Sequence, residues 1–209
     1  MPDPLSLRVE TFTFGHRAVS LYVPEPAAIT ARFQANPTGN PYWARVWPAS
    51  IAMCLYLADY PDLVTNKTVL ELAAGLGLPS LFVAPLAASV LCSDVEAAAI
   101  GVVEQSKRLG GISNLSCQVL DWTALPAGLG ANVVLLSDLN YDPATFDRLF
   151  TVVEELLGSG ATVLLSTPQR LLAKPFITRI QPWSAEQQEV SVTLGGIHVP
   201  CSLFVLRID

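Results

Sequence analysis

The sequence predicts an α/β fold: a seven-stranded, mostly parallel sheet with helices on both faces, ending in an antiparallel hairpin and preceded by an N-terminal hairpin and helix. Three observations predict it. From Thr68 to Thr167, short apolar runs alternate with segments of helical periodicity, the pattern of βαβ crossovers. The runs are continuously apolar, as in strands covered on both faces. After them, two further strand-like runs flank Gly195-Gly196, a dipeptide suited to a tight hairpin turn.

The elements follow in order. Residues 7–14 and 17–23 alternate apolar and polar side chains around Gly15, predicting a hairpin outside the main sheet, and residues 24–41 read as a helix followed by a turn-rich connection. Pro48 to Tyr60 is apolar at helical spacing, with the proline where a helix starts. The very apolar stretch from Thr68 to Cys92 contains Glu71, Gly75, Gly77, Pro79 and Pro85, so it divides into strand, loop, helix and strand instead of crossing a membrane. TVLEL at 68–72, 87–94, 115–121, 131–138 and 161–167 are the five parallel strands. Helices are expected at 95–111, at 143–158 and around Leu171 to Ile180, and the closing strands at 189–194 and 200–208.

Composition narrows the function. At 209 residues the chain is expected to be a single domain, with residues 1–40 as an extension on a core of 41–209. Hydrophobic residues are 51% and charged residues 14%, which excludes general disorder. The net charge of −6 and the lack of any Lys/Arg run argue against nucleic acid and suit a neutral or basic substrate. Cys54, Cys92, Cys117 and Cys201 lie far apart with no CxxC pair, as expected of reduced structural thiols in the cytoplasm. MPDPLSLRVE lacks the basic start and apolar run of a signal peptide, and no membrane partner is expected. His16 and His198 stand apart from the acids, no metal-ligand spacing occurs, and neither GxSxG nor GxxxxGK[ST] is present.

In an open α/β sheet, ligands bind beyond the carboxyl ends of the strands. After the first strand, Gly75 and Gly77 permit a tight turn and close backbone approach, or serve a plain strand-to-helix turn. About twenty residues on, Asp94 is suited to both hydroxyls of a ribose, while Ser93-x-x-Glu96 also fits a helix-capping box. Asp121 can accept a hydrogen bond from an adenine amino group while Trp122 covers the ring, and Asp138-Leu139-Asn140-Tyr141 emerges after the fourth strand. Polar clusters at four successive strand ends point to a nucleoside cofactor.

With these residues the chain resembles the Rossmann-like seven-β-strand methyltransferases, and among them the small protein-lysine methyltransferases with a DxxY motif. The resemblance rests on PYWARVWPAS at 41–50, VLELAAGLGLPSL from Val69 and Asp138-Leu139-Asn140-Tyr141, over roughly residues 40 to 209. It is closest to the branch that methylates the electron-transfer-flavoprotein β-subunit. The resemblance implies S-adenosylmethionine as cofactor, with S-adenosylhomocysteine as product. It implies cofactor contacts from Trp47, Glu71, Ala73, Gly75, Gly77, Asp94, Val95, Asp121, Trp122 and Ser137, with Glu71 suited to the amino-acid moiety. Asp138 and Tyr141 become the catalytic candidates: Asp138 orients an acceptor amine in a pocket shaped by Tyr141 and Trp47. The acceptor implied is a lysine of a protein; a small amine or heterocycle is the alternative, and a monomer is favoured. Gly75-x-Gly77 with Asp94 also suits an NAD-dependent oxidoreductase, but Ser80 occupies the third small position of GxGxxG. A non-catalytic cofactor-binding module is the remaining rival. Ala73 stands where the family usually has glycine, which is tolerable if that residue does not need positive φ.

Overall fold

A computed structural model describes residues 5–35, 41–126 and 128–208. The N-terminal hairpin pairs β1 (Leu7–Phe14) with β2 (Arg17–Pro24) as a separate two-stranded sheet, and α1 spans Pro26–Ala35. The predicted connection over residues 36–40 lies outside the described residues. Then come α2 (Pro48–Asp59), β3 (Thr68–Leu72), α3 (Leu78–Val83), β4 (Ser89–Asp94), α4 (Ala97–Leu109), β5 (Leu115–Val119) and β6 (Val133–Ser137). The chain continues through α5 (Phe146–Gly158), β7 (Thr162–Pro168), α6 (Lys174–Ile180), β8 (Ser184–Leu194) and β9 (Ile197–Leu206).

The second sheet has seven strands in the order β5-β4-β3-β6-β7-β9-β8. β5, β4, β3, β6 and β7 are parallel, and β9 and β8 join antiparallel, as the sequence predicts. Gly195 and Gly196, at φ 58° and 79°, make the turn between them. Successive side chains of a strand point to opposite faces, and here both faces are buried. Val69, Val133, Leu135 and Leu164 pack with α2, α3 and α4 on one side; Leu70, Leu72, Val134, Leu136, Val163 and Leu165 pack with α5 and α6 on the other.

Local chemistry sets the ends of the helices. α5 buries Phe146, Leu149, Val152, Val153, Leu156 and Leu157 as one stripe. It ends where Gly160 takes φ 87°, with Gly160 N donating to Leu157 O and Ala161 N to Leu156 O, a Schellman closure that feeds the chain into β7. α2 is buried nearly all round because it lies between the sheet and α3. No helix among the described residues is long and apolar enough to cross a membrane. All four cysteines are free thiols.

The N-terminal hairpin is built into this core. Phe14, Leu21 and Val23 are buried in the same cluster as α2, α3 and α4. Phe14 meets Phe82 edge-on at 5.2 Å, Arg17 donates to Phe82 O at 2.7 Å and stacks over its ring, and Tyr22 N donates to Ser106 Oγ at 2.9 Å. Leu21→Ala is therefore expected to cost about 2–5 kcal/mol in urea unfolding, comparable with Leu135→Ala in the central sheet. A loss well below about 1 kcal/mol would mark the hairpin as peripheral.

Candidate active site

The site forms where the strand order reverses, between β3 and β6. A cavity of about 340 Å³ opens there, lined by the loops after β3, β4, β5, β6 and β7 and by the segment before α2. The β3 loop runs with Ala73, Gly75 and Gly77 at φ 51°, 56° and 66°. A Cβ on Gly75 would stand 3.1 Å from Trp43 O, and one on Gly77 3.0 Å from Cys92 Sγ. Glycine is thus needed both for the left-handed backbone and for close packing against the protein. Ala73 does require positive φ, contrary to the condition under which alanine was expected to be harmless, so it holds strain of about 1–2 kcal/mol.

Glu71 lies beneath the loop, 1% exposed, and is not among the residues lining the cavity. Its Oε2 accepts from Ser80 N at 2.8 Å and from the Ser80 hydroxyl, which ties the start of α3 to β3. Burial pushes its carboxyl up to about 8, outweighing the two Ser80 hydrogen bonds, which pull it down. Asp94, at the end of β4, lines the cavity and is nearly buried. Its Oδ2 accepts from Gly75 N at 2.8 Å and its Oδ1 from Glu96 N at 2.9 Å, leaving further lone pairs on both oxygens. Burial raises its carboxyl above the ordinary range. The capping box does not form: α4 starts at Ala97 with no side-chain cap, and Ser93 instead donates to Glu71 O.

Val95 and Trp122 flank Asp94 on the cavity wall. Asp121 is exposed, caps the short 3-10 turn at Trp122–Ala124 through Oδ1, and is not a lining residue. Ser137 and Asp138 line the cavity from the end of β6. Asp138 takes φ 58° and its amide donates to Ser166 O at 2.8 Å. Both its carboxylate oxygens are held by Arg170: Nη1 bonds Oδ1, and Nη2 bonds Oδ2 at 2.8 Å. Over this pair stands an aromatic mouth. Trp47 Nε1 donates to Tyr42 O at 2.8 Å, and the Tyr42 ring meets Trp47 and Tyr141 edge-on at 6.1 and 5.9 Å. Arg45 stacks 3.6 Å over Trp47.

One cavity therefore gathers Trp47, Ala73, Gly75, Gly77, Asp94, Val95, Trp122, Ser137, Asp138 and Tyr141 of the predicted residues, and not Glu71 or Asp121. Sequence reading missed Tyr42, Arg45, Ser50 and Arg170, which also line it. Arg170 could have been found, since it lies two residues past the fifth parallel strand, where ligand-facing residues concentrate. No His/Cys/Asp/Glu group among the described residues has a metal-binding arrangement.

Two outcomes follow from the loop. Glu71 sits above its ordinary 4.5 in the folded chain. Between those values the folded state holds a proton that the unfolded state has released, so stability falls as pH rises through the window. Glu71→Gln keeps an acceptor for Ser80 without the titration, so its unfolding free energy should decline less than the parent's from about pH 6 to about pH 9; parallel declines would refute this. Ala73→Gly should raise unfolding free energy by about 1 kcal/mol by relieving the left-handed alanine, as read by urea denaturation. A destabilised glycine variant would show that the strain is absent.

Comparison with known proteins agrees with this geometry. The sequence model of a family described as lysine methyltransferase matches residues 34–183. The electron transfer flavoprotein beta subunit lysine methyltransferase of Rattus norvegicus is 31% identical over 137 residues, 64% of this chain and 53% of the relative. The human histone-arginine methyltransferase METTL23 is 25% identical over 165 residues, 76% of this chain and 83% of that one. The chain spans about half the length of the flavoprotein-subunit relatives it matches. Among solved structures, the T. thermophilus 16S rRNA N2 G1207 methyltransferase RsmC aligns with a TM-score of 0.65 at 16% identity, over 99% of this chain and 52% of that one. The N-methyltransferase NodS of Bradyrhizobium japonicum WM9, bound to S-adenosyl-l-homocysteine, aligns with a TM-score of 0.60 at 13% identity, over 85% of this chain and 98% of its own. These two share the fold. Matched from the end of α1 to just beyond α6, with the cavity at the reversal of strand order, the chain belongs to the lysine methyltransferase family.

Proposed function

We propose that the chain transfers a methyl group from S-adenosylmethionine to the side-chain amine of a lysine in a protein substrate. The observation that carries the reading is a single cavity that runs from the glycine loop and Asp94 to Asp138 beneath Tyr42, Trp47 and Tyr141. Residues 41–209 form the catalytic core in this reading, residues 1–40 extend it, and the protein works as a monomer in the cytoplasm. Its net charge of −6 disfavours nucleic acid as acceptor. The names of the relatives, which specify a flavoprotein subunit and a histone, favour a protein over a small amine.

The cofactor, when bound, supplies an electrophilic methyl group on a sulfonium. The chain binds it through the backbone of Ala73, Gly75 and Gly77, with Asp94 accepting from the ribose hydroxyls. Val95 and Trp122 would flank the base, and Asp121, exposed and outside the cavity wall, would meet its amino group only from the rim, with Oδ2, since its cap uses Oδ1. Ser137 and Trp47 close the remaining walls. Glu71 acts from below by holding Ser80. The acceptor must arrive as a neutral amine, its proton released to water at the mouth. Asp138 then accepts from its remaining N–H groups to aim the lone pair, while Tyr141 and Trp47 exclude water. Aromatic faces also favour a cationic sulfonium.

Calorimetry is expected to detect binding of S-adenosylmethionine and S-adenosylhomocysteine and none of NAD; the reverse would sink the reading. Asp94→Ala should weaken S-adenosylhomocysteine about tenfold or more, because ribose hydroxyls lose a charged acceptor. Asp138→Ala should lower turnover by about 10²-fold with little change in that affinity. S-adenosylhomocysteine is the correct probe for this variant, since an unpaired Arg170 would repel a sulfonium. Full methyl transfer by Asp138→Ala would remove the role assigned to it.

A further inference from the structure

The pair formed by Asp138 and Arg170 raises a question that the acceptor chemistry sharpens. A carboxylate beside an amine stabilises the ammonium form, and the ammonium has no lone pair with which to attack. A lone Asp138 would therefore orient the acceptor and at the same time hold it in its unreactive state. In the structure Asp138 is not alone. Arg170 meets it as a fork, one nitrogen on each oxygen, in a part-buried site where its guanidinium is held charged by the contact. Each carboxylate oxygen has a second lone pair, so this grip still leaves acceptor sites for an incoming N–H.

The surrounding groups do not supply that compensation. The other charged residues on the cavity wall are Arg45, committed to the face of Trp47, and Asp94 and Glu96 at the end of β4. Tyr42 and Tyr141 contribute aromatic rings at the mouth, and on β9 the Cys201 thiol is buried and pushed up to about 11, so it brings no charge. Without Arg170 the wall would carry three carboxylates against one cation that is turned to an indole.

We propose that Arg170 is a positioning residue for methyl transfer: by holding both oxygens of Asp138 it cancels the carboxylate's charge while keeping its acceptor geometry, so the amine is oriented without being held as ammonium. The inference rests on the reading of this cavity as an amine-methylating site. It also explains why the neutralising group is an arginine. A lysine would supply the charge as a single point, whereas the guanidinium plane also fixes the carboxylate's rotation.

n-Butylamine labelled with carbon-13 beside its nitrogen, bound to the S-adenosylhomocysteine complex, tests this without turnover, because its chemical shift follows its protonation. In Arg170→Met the bound amine should hold its proton to a pH higher by about one unit than in the parent. Arg170→Lys should restore the parent value, because charge alone sets it, yet slow methyl transfer from S-adenosylmethionine to the same amine, because the fork is lost. The double variant Arg170→Met, Asp138→Asn removes both charges and should also titrate near the parent value, which a merely unfolded or collapsed site would not do. Identical titration of the parent and Arg170→Met overturns the role given to Arg170. Absence of any bound-amine signal in the parent overturns the reading of the cavity itself, and the role with it.

Discussion

The constraint on which the rest depends is the reversal of strand order between β3 and β6. The chain lays down β3, β4 and β5 outward in one direction and returns to place β6 and β7 on the other side. The loops after β3 and β6 therefore leave neighbouring strands in opposite directions, and a crevice opens between them. Backbone groups that would be unsatisfied in a closed core are exposed there to a ligand or to each other. Ala74 N finds Ser93 O, Gly75 N finds Asp94 and Asp138 N finds Ser166 O. Asp94, Asp138 and the glycine loop are brought to one crevice by that single topological event.

Glu71, Asp94 and Asp138, carboxylates in or under this crevice, each meet burial in a different way. Glu71, deepest, receives only the two Ser80 donors and rises to about 8. Asp94 accepts two backbone amides, which pull against a burial effect that is still the larger. Asp138 takes a full opposite charge from Arg170. Removing a carboxylate from water is costly unless it is neutralised or bonded. The ladder from protonation, through amide donors, to a guanidinium follows the functions the groups serve in the proposed reaction: scaffold, hydroxyl acceptor and amine acceptor.

Strain is gathered in the same place. Ala73 and Asp138 are two of the three non-glycine residues with positive φ among the described residues, and both follow the carboxyl ends of central strands. Such residues persist only where their surroundings over-determine them. Asp138 is held by its amide to β7 and by both oxygens to Arg170, and Ala73 lies between a strand pinned at Glu71 and a glycine pinned by Asp94.

Periodicity and composition by themselves determined the sheet, its direction, its closing hairpin and the strand ends at which chemistry would lie. These are local properties: a run such as VVLLS is buried whichever strands flank it, and Gly195-Gly196 turns the chain whatever it packs against. The ordered motifs around Trp47, Gly75, Asp94 and Asp138 likewise carried most of the cavity wall. Only the tertiary structure decided the pairings. Arg170 lies thirty-two residues from Asp138, and no spacing rule joins them; β6 and β7 do, by lying in parallel register with Ser137 beside Ser166. Glu71 reads as a ligand contact in sequence because it precedes a glycine loop, yet the alternation of β3 sends it into the core with Val69, where Ser80 is its partner. The left-handed turn at Ala73 was hidden for the same reason. An alanine shows no preference for that backbone, which is imposed by hydrogen bonds to β4 that exist only once the sheet has formed.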